Sequence, residues 1–190
     1  MDIGNLLKKM HQTKGARFES HKRYTAKNYY SNFTISILSF YVICISVGLL
    51  VFDSSISNNL KNWFTFVSVA LSVLIIIITL LDGSQRYDVK AELMHNCARD
   101  INELYNRCKL EKEPNEVRMG EFTSQYQMIL FKYQFNHDEI DRKMYSANSP
   151  FDKSEKIEKP AVEYWMDVFG LNIFYLFAPI VVGIFIISCN

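Results

Sequence analysis

The sequence has little from which to build a binding loop or a covalent staple. Seven glycines and four prolines in 190 residues are too few for a collagen-like or low-complexity chain. Four cysteines, Cys44, Cys97, Cys108 and Cys189, are too sparse for a small disulfide-built secreted scaffold. Cys44 and Cys189 fall in apolar runs and the other two in a polar, helix-patterned region, so the soluble part is expected in a reducing compartment. A net charge of +1 excludes a chain that holds nucleic acid by bulk charge, and no direct nucleic-acid binding is expected. Neither GxGxxG nor a GxxxxGK phosphate loop occurs. The first thirty residues lack a central apolar stretch with a small-residue cleavage site, so no cleavable leader is expected.

Catalytic groups are scarce as well. His95 and Cys97 stand two apart on a helical pattern, which points them to different faces. A zinc site from His95, Cys97, Cys108 and His137 across a hairpin competes with the simpler reading of cysteine as a small buried apolar residue. Asp138, Glu139 and Asp141 lack the glycine turn of a calcium loop and read as a solvated helix face. No catalytic residue, metal or cofactor is assigned, and the chain reads as a non-enzyme.

What the sequence does have is segregation. Phe33–Phe52 and Trp63–Leu81 are uncharged, strongly apolar runs. About twenty such residues rise roughly 30 Å as a helix, the thickness of a bilayer core, and a helix satisfies its own backbone there. A third run, Phe169–Cys189, contains Asn172 and Pro179. It reads as a third span kinked at Pro179, with a re-entrant segment as the competing reading. Seven basic residues precede the first run, Lys61 alone separates the first two, and thirteen lie between the second and third. The positive-inside rule then predicts a multi-pass protein with its N-terminus and middle region in the cytoplasm and its C-terminus outside.

The expected fold is all-α: an N-terminal transmembrane hairpin, a cytoplasmic antiparallel helical hairpin and a C-terminal transmembrane helix. Residues 1–32 form an amphipathic N-terminal helix, 33–81 the membrane hairpin, 82–145 the cytoplasmic hairpin, 146–160 a linker and 161–190 the last helix. Tyr87, Ala91, Met94, Ala98, Ile101, Tyr105 and Cys108 recur at alternating steps of four and three, a coiled-coil spacing. Phe122, Tyr126, Ile129, Tyr133, His137, Ile140 and Met144 repeat the steps after the break at Pro114. Tyr87, Ala91, Met94, Ala98, Ile101, Tyr105, Tyr126, Ile129 and Tyr133 are the expected oligomer or packing seam. Asp at both Ile101 and Ile129 is then expected to abolish assembly.

Ile3, Leu6, Leu7 and Met10 share one face of the N-terminal helix, beside Lys8, Lys9 and Lys14. That face suits either an anionic membrane surface or the cytoplasmic hairpin. The spans contain no Asp, Glu, Lys, Arg or His, which argues against ion-coupled transport. They do carry Ser36, Ser39, Cys44, Gly48, Ser68 and Ser72, small residues suited to close helix contacts or a pore lining. Three spans cannot enclose a conduit alone, so a pore requires several copies.

Several of these stretches occur together in a known pattern. Arg17, Phe18, Arg23 and Tyr24 lead into Ser36-Ile37-Leu38-Ser39-Phe40-Tyr41-Val42-Ile43. The second span ends in Leu80-Leu81-Asp82-Gly83-Ser84, and Tyr87 then precedes Ala91-Glu92-Leu93-Met94-His95-Asn96-Cys97-Ala98 with Ile101, Leu104 and Tyr105. Over roughly residues 17–110 the chain resembles the SLATT family of bacterial membrane effectors (SMODS/SLOG-associating two-transmembrane effectors), and its C-terminal apolar segment is similar to longer branches. The resemblance implies a role in conflict systems, including anti-phage defence, through homo-oligomers that permeabilise the inner membrane. It also implies a sensor or nucleotide-signalling partner encoded nearby. A membrane-anchored scaffold that forms no pore is the alternative.

Overall fold

The computed structural model describes residues 2–111, 114–149 and 160–188. Among the described residues six helices follow one another: α1 (Ile3–Val51), α2 (Asn58–Gln85), α3 (Tyr87–Leu110), α4 (Glu116–Lys132), α5 (Glu139–Asn148) and α6 (Ala161–Ser188). No strand occurs among the described residues. The chain forms two compact units, one of residues 1–26 with 87–166 and one of residues 27–86 with 167–190.

The first unit is built on α3. Its buried residues are Ala91, Met94, Cys97, Ala98, Ile101, Leu104 and Cys108, a wider stripe than the expected seam. The reason is that α3 is covered from two sides. Leu6 and Met10 of α1, and Phe122 and Tyr126 of α4, join Cys97, Ile101, Leu104 and Cys108 in one core, with Tyr133. Side chains of this kind contribute about 1.5–3 kcal/mol each when fully buried. The apolar face of the N-terminal segment is therefore used against the hairpin, which decides between its two readings. Tyr105 and Ile129 pack at the core edge.

Several boundaries differ from expectation. The N-terminal helix does not stop at residue 32, because α1 runs from Ile3 to Val51 without a break. The expected limit marks a change of polarity, and nothing in Asn32-Phe33 ends a helix. The second hairpin helix, in contrast, stops at Lys132, and Tyr133 is extended. The four-three steps through His137, Ile140 and Met144 continue by coincidence across residues 133–138, which are not helical. A new helix opens at Asp138, where a capping box forms with Asp141. Asp141 Oδ2 accepts the Asp138 backbone N–H at 3.0 Å, satisfying a donor that no helical carbonyl can reach. α5 also takes in Ser146, Ala147 and Asn148 from the expected linker, while its residues 150–159 lie outside those described.

In the second unit, α1 and α2 are joined by a short connection capped at Ser57, whose side chain accepts the Leu60 N–H at 3.4 Å. α2 starts at Asn58, five residues before the expected span, because polar residues 58–62 extend the helix beyond its apolar part. Leu38, Val67, Leu71 and Ile78 form the buried core of this hairpin. Lys27 Nζ lies 2.8 Å from Asp167 Oδ1, and the Tyr30 and Phe169 rings are 4.1 Å apart, so α1 also holds the start of α6. α1 and the α2–α3 segment are each long and apolar enough to cross a membrane. α6 bends by 49° between 161–170 and 172–181, well before Pro179. Asn172 Nδ2 donates to the Val168 carbonyl at 3.3 Å at that bend. α2 gives way to α3 at Arg86, whose φ of 49° is left-handed and cannot propagate a right-handed helix.

Candidate functional site

The polar centre of the first unit is a pair of buried arginines on α1. Arg17 and Arg23 are 3% and 2% exposed, where an unpaired charge is costly. Arg23 meets Asp141 through two parallel bonds, Nε to Oδ1 at 2.7 Å and Nη2 to Oδ2 at 2.9 Å. Its Nη2 also bonds Asp138 Oδ2. This bidentate fork matches guanidinium to carboxylate geometry and fastens α5 to α1. Asp141 is fully buried, so the acidic group read as a solvated face is instead split. Asp141 faces inward to the arginine, while Glu139 stays outside with Arg142.

Among the described residues, Arg17 has no carboxylate partner. It donates through Nη1 to Met94 Sδ at 3.3 Å and to the Phe135 carbonyl, and through Nη2 to Asn136 Oδ1 at 3.3 Å. Its Nε, together with Ser20 Oγ, His95 Nδ1 and His137 Nδ1, is buried without a hydrogen-bond partner among the described residues. His21 Nδ1 donates to the Ala91 carbonyl at 3.0 Å, and its ring lies 4.8 Å from that of His95. Phe135 and Asn136 are thus held against α1 by one charged side chain and neutral acceptors.

This environment makes the unit sensitive to acid. Burial pushes the His137 imidazole below its ordinary range, and the Arg17 charge acts in the same direction. The folded state takes up this proton at lower pH than the unfolded chain, which does so near pH 6.5. The unfolded state then binds more protons, so stability from His137 is present above that value and lost as pH falls. The first unit is expected to melt at lower temperature at pH 5 than at pH 7, with a shallower dependence in His137→Gln. An identical pH dependence in the variant would remove His137 from this account.

Of the expected seam, Ile101, Tyr126 and Tyr133, with Tyr105 and Ile129 at the edge, share the core of the first unit, whereas Tyr87, Ala91, Met94 and Ala98 lie outside that cluster. Ala91, Met94, Ala98, Ile101, Tyr126 and Tyr133 are buried, with Tyr87, Tyr105 and Ile129 half-buried. Among the described residues, no three His, Cys, Asp or Glu side chains form a group that could hold a metal ion. Burial pushes the Cys97 and Cys108 thiols up, the opposite of an activated nucleophile.

The small residues of the membrane helices divide between exposed and half-buried positions. Ser36 and Cys44 are exposed, and open space surrounds Gly48. Ser36, Ser39 and Ser72 satisfy their hydroxyls on carbonyls four residues back, and Ser68 is half-buried. Cys44 lines an apolar cavity of about 200 Å³ with Tyr41, Phe64, Leu71 and Pro179. Much of the apolar surface faces outward, including Leu50, Phe66 and Leu80 at 82%, 64% and 68% exposed. Surface of that kind needs lipid or another protein surface to cover it.

Sequence reasoning missed the Arg23–Asp141 pair, because the partners are 118 residues apart. The spacing of Asp138 and Asp141, three residues apart before a helical pattern, was the available signal.

Comparison with known proteins adds a match to one family. The SMODS and SLOG-associating 2TM effector domain, family 5, matches residues 2–185. No curated protein and no solved structure matches the chain.

Proposed function

The chain belongs to family 5 of the SMODS and SLOG-associating 2TM effector domains, and from that premise we propose that it is a pore-forming effector of a bacterial conflict system. The observation that carries this reading is a family match over nearly the whole chain, on a protein whose uncharged membrane helices turn small residues outward. Ser36 and Gly48 stand where a second copy can approach closely. Copies assembled through these faces would surround a conduit in the inner membrane. The first unit, in the cytoplasm, would receive the trigger from a sensor or nucleotide-signalling partner and pass it along the unbroken α1. No chemistry on a substrate is required, and the chain acts in this reading without catalysis.

The test is membrane potential in bacteria after induced expression, with insertion in the inner membrane verified. Rapid depolarisation is expected. Gly48→Leu should reduce it, because the larger side chain fits one copy but keeps neighbouring helices apart. A stable potential, together with purified oligomers that leak no ions from liposomes, defeats the pore. The second reading, an anchored scaffold, is favoured by the exposed apolar face of α4. There Val117, Met128 and Phe131 are 73%, 60% and 89% exposed, a surface fit to recruit a partner.

A further inference from the structure

One cavity in the first unit has a chemistry that neither the core nor the arginine pair uses. Its volume is about 400 Å³, and its lining includes Lys8 and His11 of α1, Tyr105 and Lys109 of α3, Tyr145 of α5 and Ser149. That size falls within the range of small-molecule sites, roughly 300–1,000 Å³. Among the described residues, no carboxylate lines it. Lys8 and Lys109, from two different helices, take part in no ion pair among the described residues, so their charges are not cancelled locally.

The positive field is felt by a neighbour. Lys14 Nζ lies 4.2 Å from the Tyr105 ring centroid and donates to Asn102 Oδ1 at 2.8 Å. Burial, and then the Lys109 charge, hold the Lys14 amine below its usual range. Lys14 thus lies over the Tyr105 ring, and Lys8 and Lys109 line the same cavity as that ring. An anion placed there relieves their mutual repulsion, and a phosphate offers several oxygens to separate ammonium groups.

The walls are aromatic, formed by His11, Tyr145 and the cavity side of Tyr105, whose ring also meets the core edge. The His11 ring lies 5.8 Å from Tyr105 and 5.9 Å from Tyr145, tilted by 33° to the first and nearly perpendicular to the second at 79°. Tyr145 can sit there because residue 15 is glycine. A Cβ on Gly15 would come within 2.1 Å of the Tyr145 ring. Glycine inside a helix is less favourable than alanine. What the buried Gly15 supplies in return is the seat for this ring at the cavity.

We infer that this cavity is a binding site for a small phosphate-bearing molecule with a flat ring, its phosphate between Lys8 and Lys109 and its ring against His11, Tyr105 and Tyr145. The site stands independently of pore formation and does not need it.

The test is calorimetric titration of the full chain in a zwitterionic detergent with adenosine monophosphate, adenosine and inorganic pyrophosphate as probes. The monophosphate is expected to bind more tightly than adenosine. Lys8→Glu with Lys109→Glu should weaken it by about tenfold or more, since hydrogen bonds to charged groups are worth roughly 1.5–3 kcal/mol. Both lysines are exposed, so the melting temperature should stay unchanged. Gly15→Ala, which displaces Tyr145, should weaken adenosine monophosphate while sparing pyrophosphate. The same titration in phosphatidylcholine and phosphatidylglycerol nanodiscs distinguishes two sources of the phosphate. Competition in phosphatidylglycerol alone identifies a lipid headgroup, and equal affinity in both identifies a free ligand; either upholds the phosphate site. Absence of binding by both phosphate probes at millimolar concentration overturns the inference, as does an affinity unchanged by the double charge reversal.

Discussion

Arg23→Ala is expected to destabilise the first unit by about 3–5 kcal/mol, the cost of leaving a buried charge without its partner. Asp141 is fully buried and would keep only the Asp138 N–H among its present polar contacts in the ion-pair cluster. Asp141→Ala should cost less, because Arg23 retains Asp138, whose side chain is 57% exposed. Replacing both together, Arg23→Met with Asp141→Leu, should recover much of the loss, since apolar side chains of similar volume often substitute for a buried pair without penalty. The asymmetry between singles and double separates a coupled pair from two independent side chains. Denaturant unfolding of the full chain in detergent, with hydrogen exchange read at the α5 amides, makes the measurement. Single variants within about 0.5 kcal/mol of the parent, the ordinary range of surface changes, would show that the pair does not hold α5.

That pair also shows where sequence reading reaches its limit. The spans are legible because the bilayer imposes a length and an apolar composition that local sequence must meet. The helical periods of α3 and α4 are legible because each presents one face to a common core. Helix ends are harder. Asn32-Phe33 changes polarity without changing backbone preference, so α1 passes through it. Tyr133 and His137 preserve the helical step where the backbone is extended. Tertiary ion pairs are hardest, because no rule of spacing relates residue 23 to residue 141. The Asp138–Asp141 capping pattern could have located α5, but not the arginine that Asp141 meets. Burial is equally ambiguous: a heptad stripe announces a covered face without saying whether the cover is the same chain or another copy.

That ambiguity decides what Ile101 can test. Ile101→Asp is expected to cost roughly 4 kcal/mol or more, the range reached when an unpaired charge is forced into a core. Ile101 is fully buried between α1, α3 and α4 of one chain, so the first unit should unfold whether or not copies associate. Loss of assembly in a variant at this position, alone or with Ile129→Asp, would then report folding. Phe131 provides the contrasting position. Its ring is 89% exposed on α4, outside the core cluster, and Phe131→Asp should leave unfolding within about 0.5 kcal/mol of the parent. Paired measurement of unfolding and of oligomer mass in detergent separates the two effects. An Ile101→Asp chain that keeps its hydrogen-exchange protection in α3 contradicts the intrachain core. A Phe131→Asp chain that folds but no longer assembles, or no longer holds its partner, places the association surface on α4. A chain that folds and assembles as before assigns association to the membrane helices, where Gly48 and Ser36 face outward.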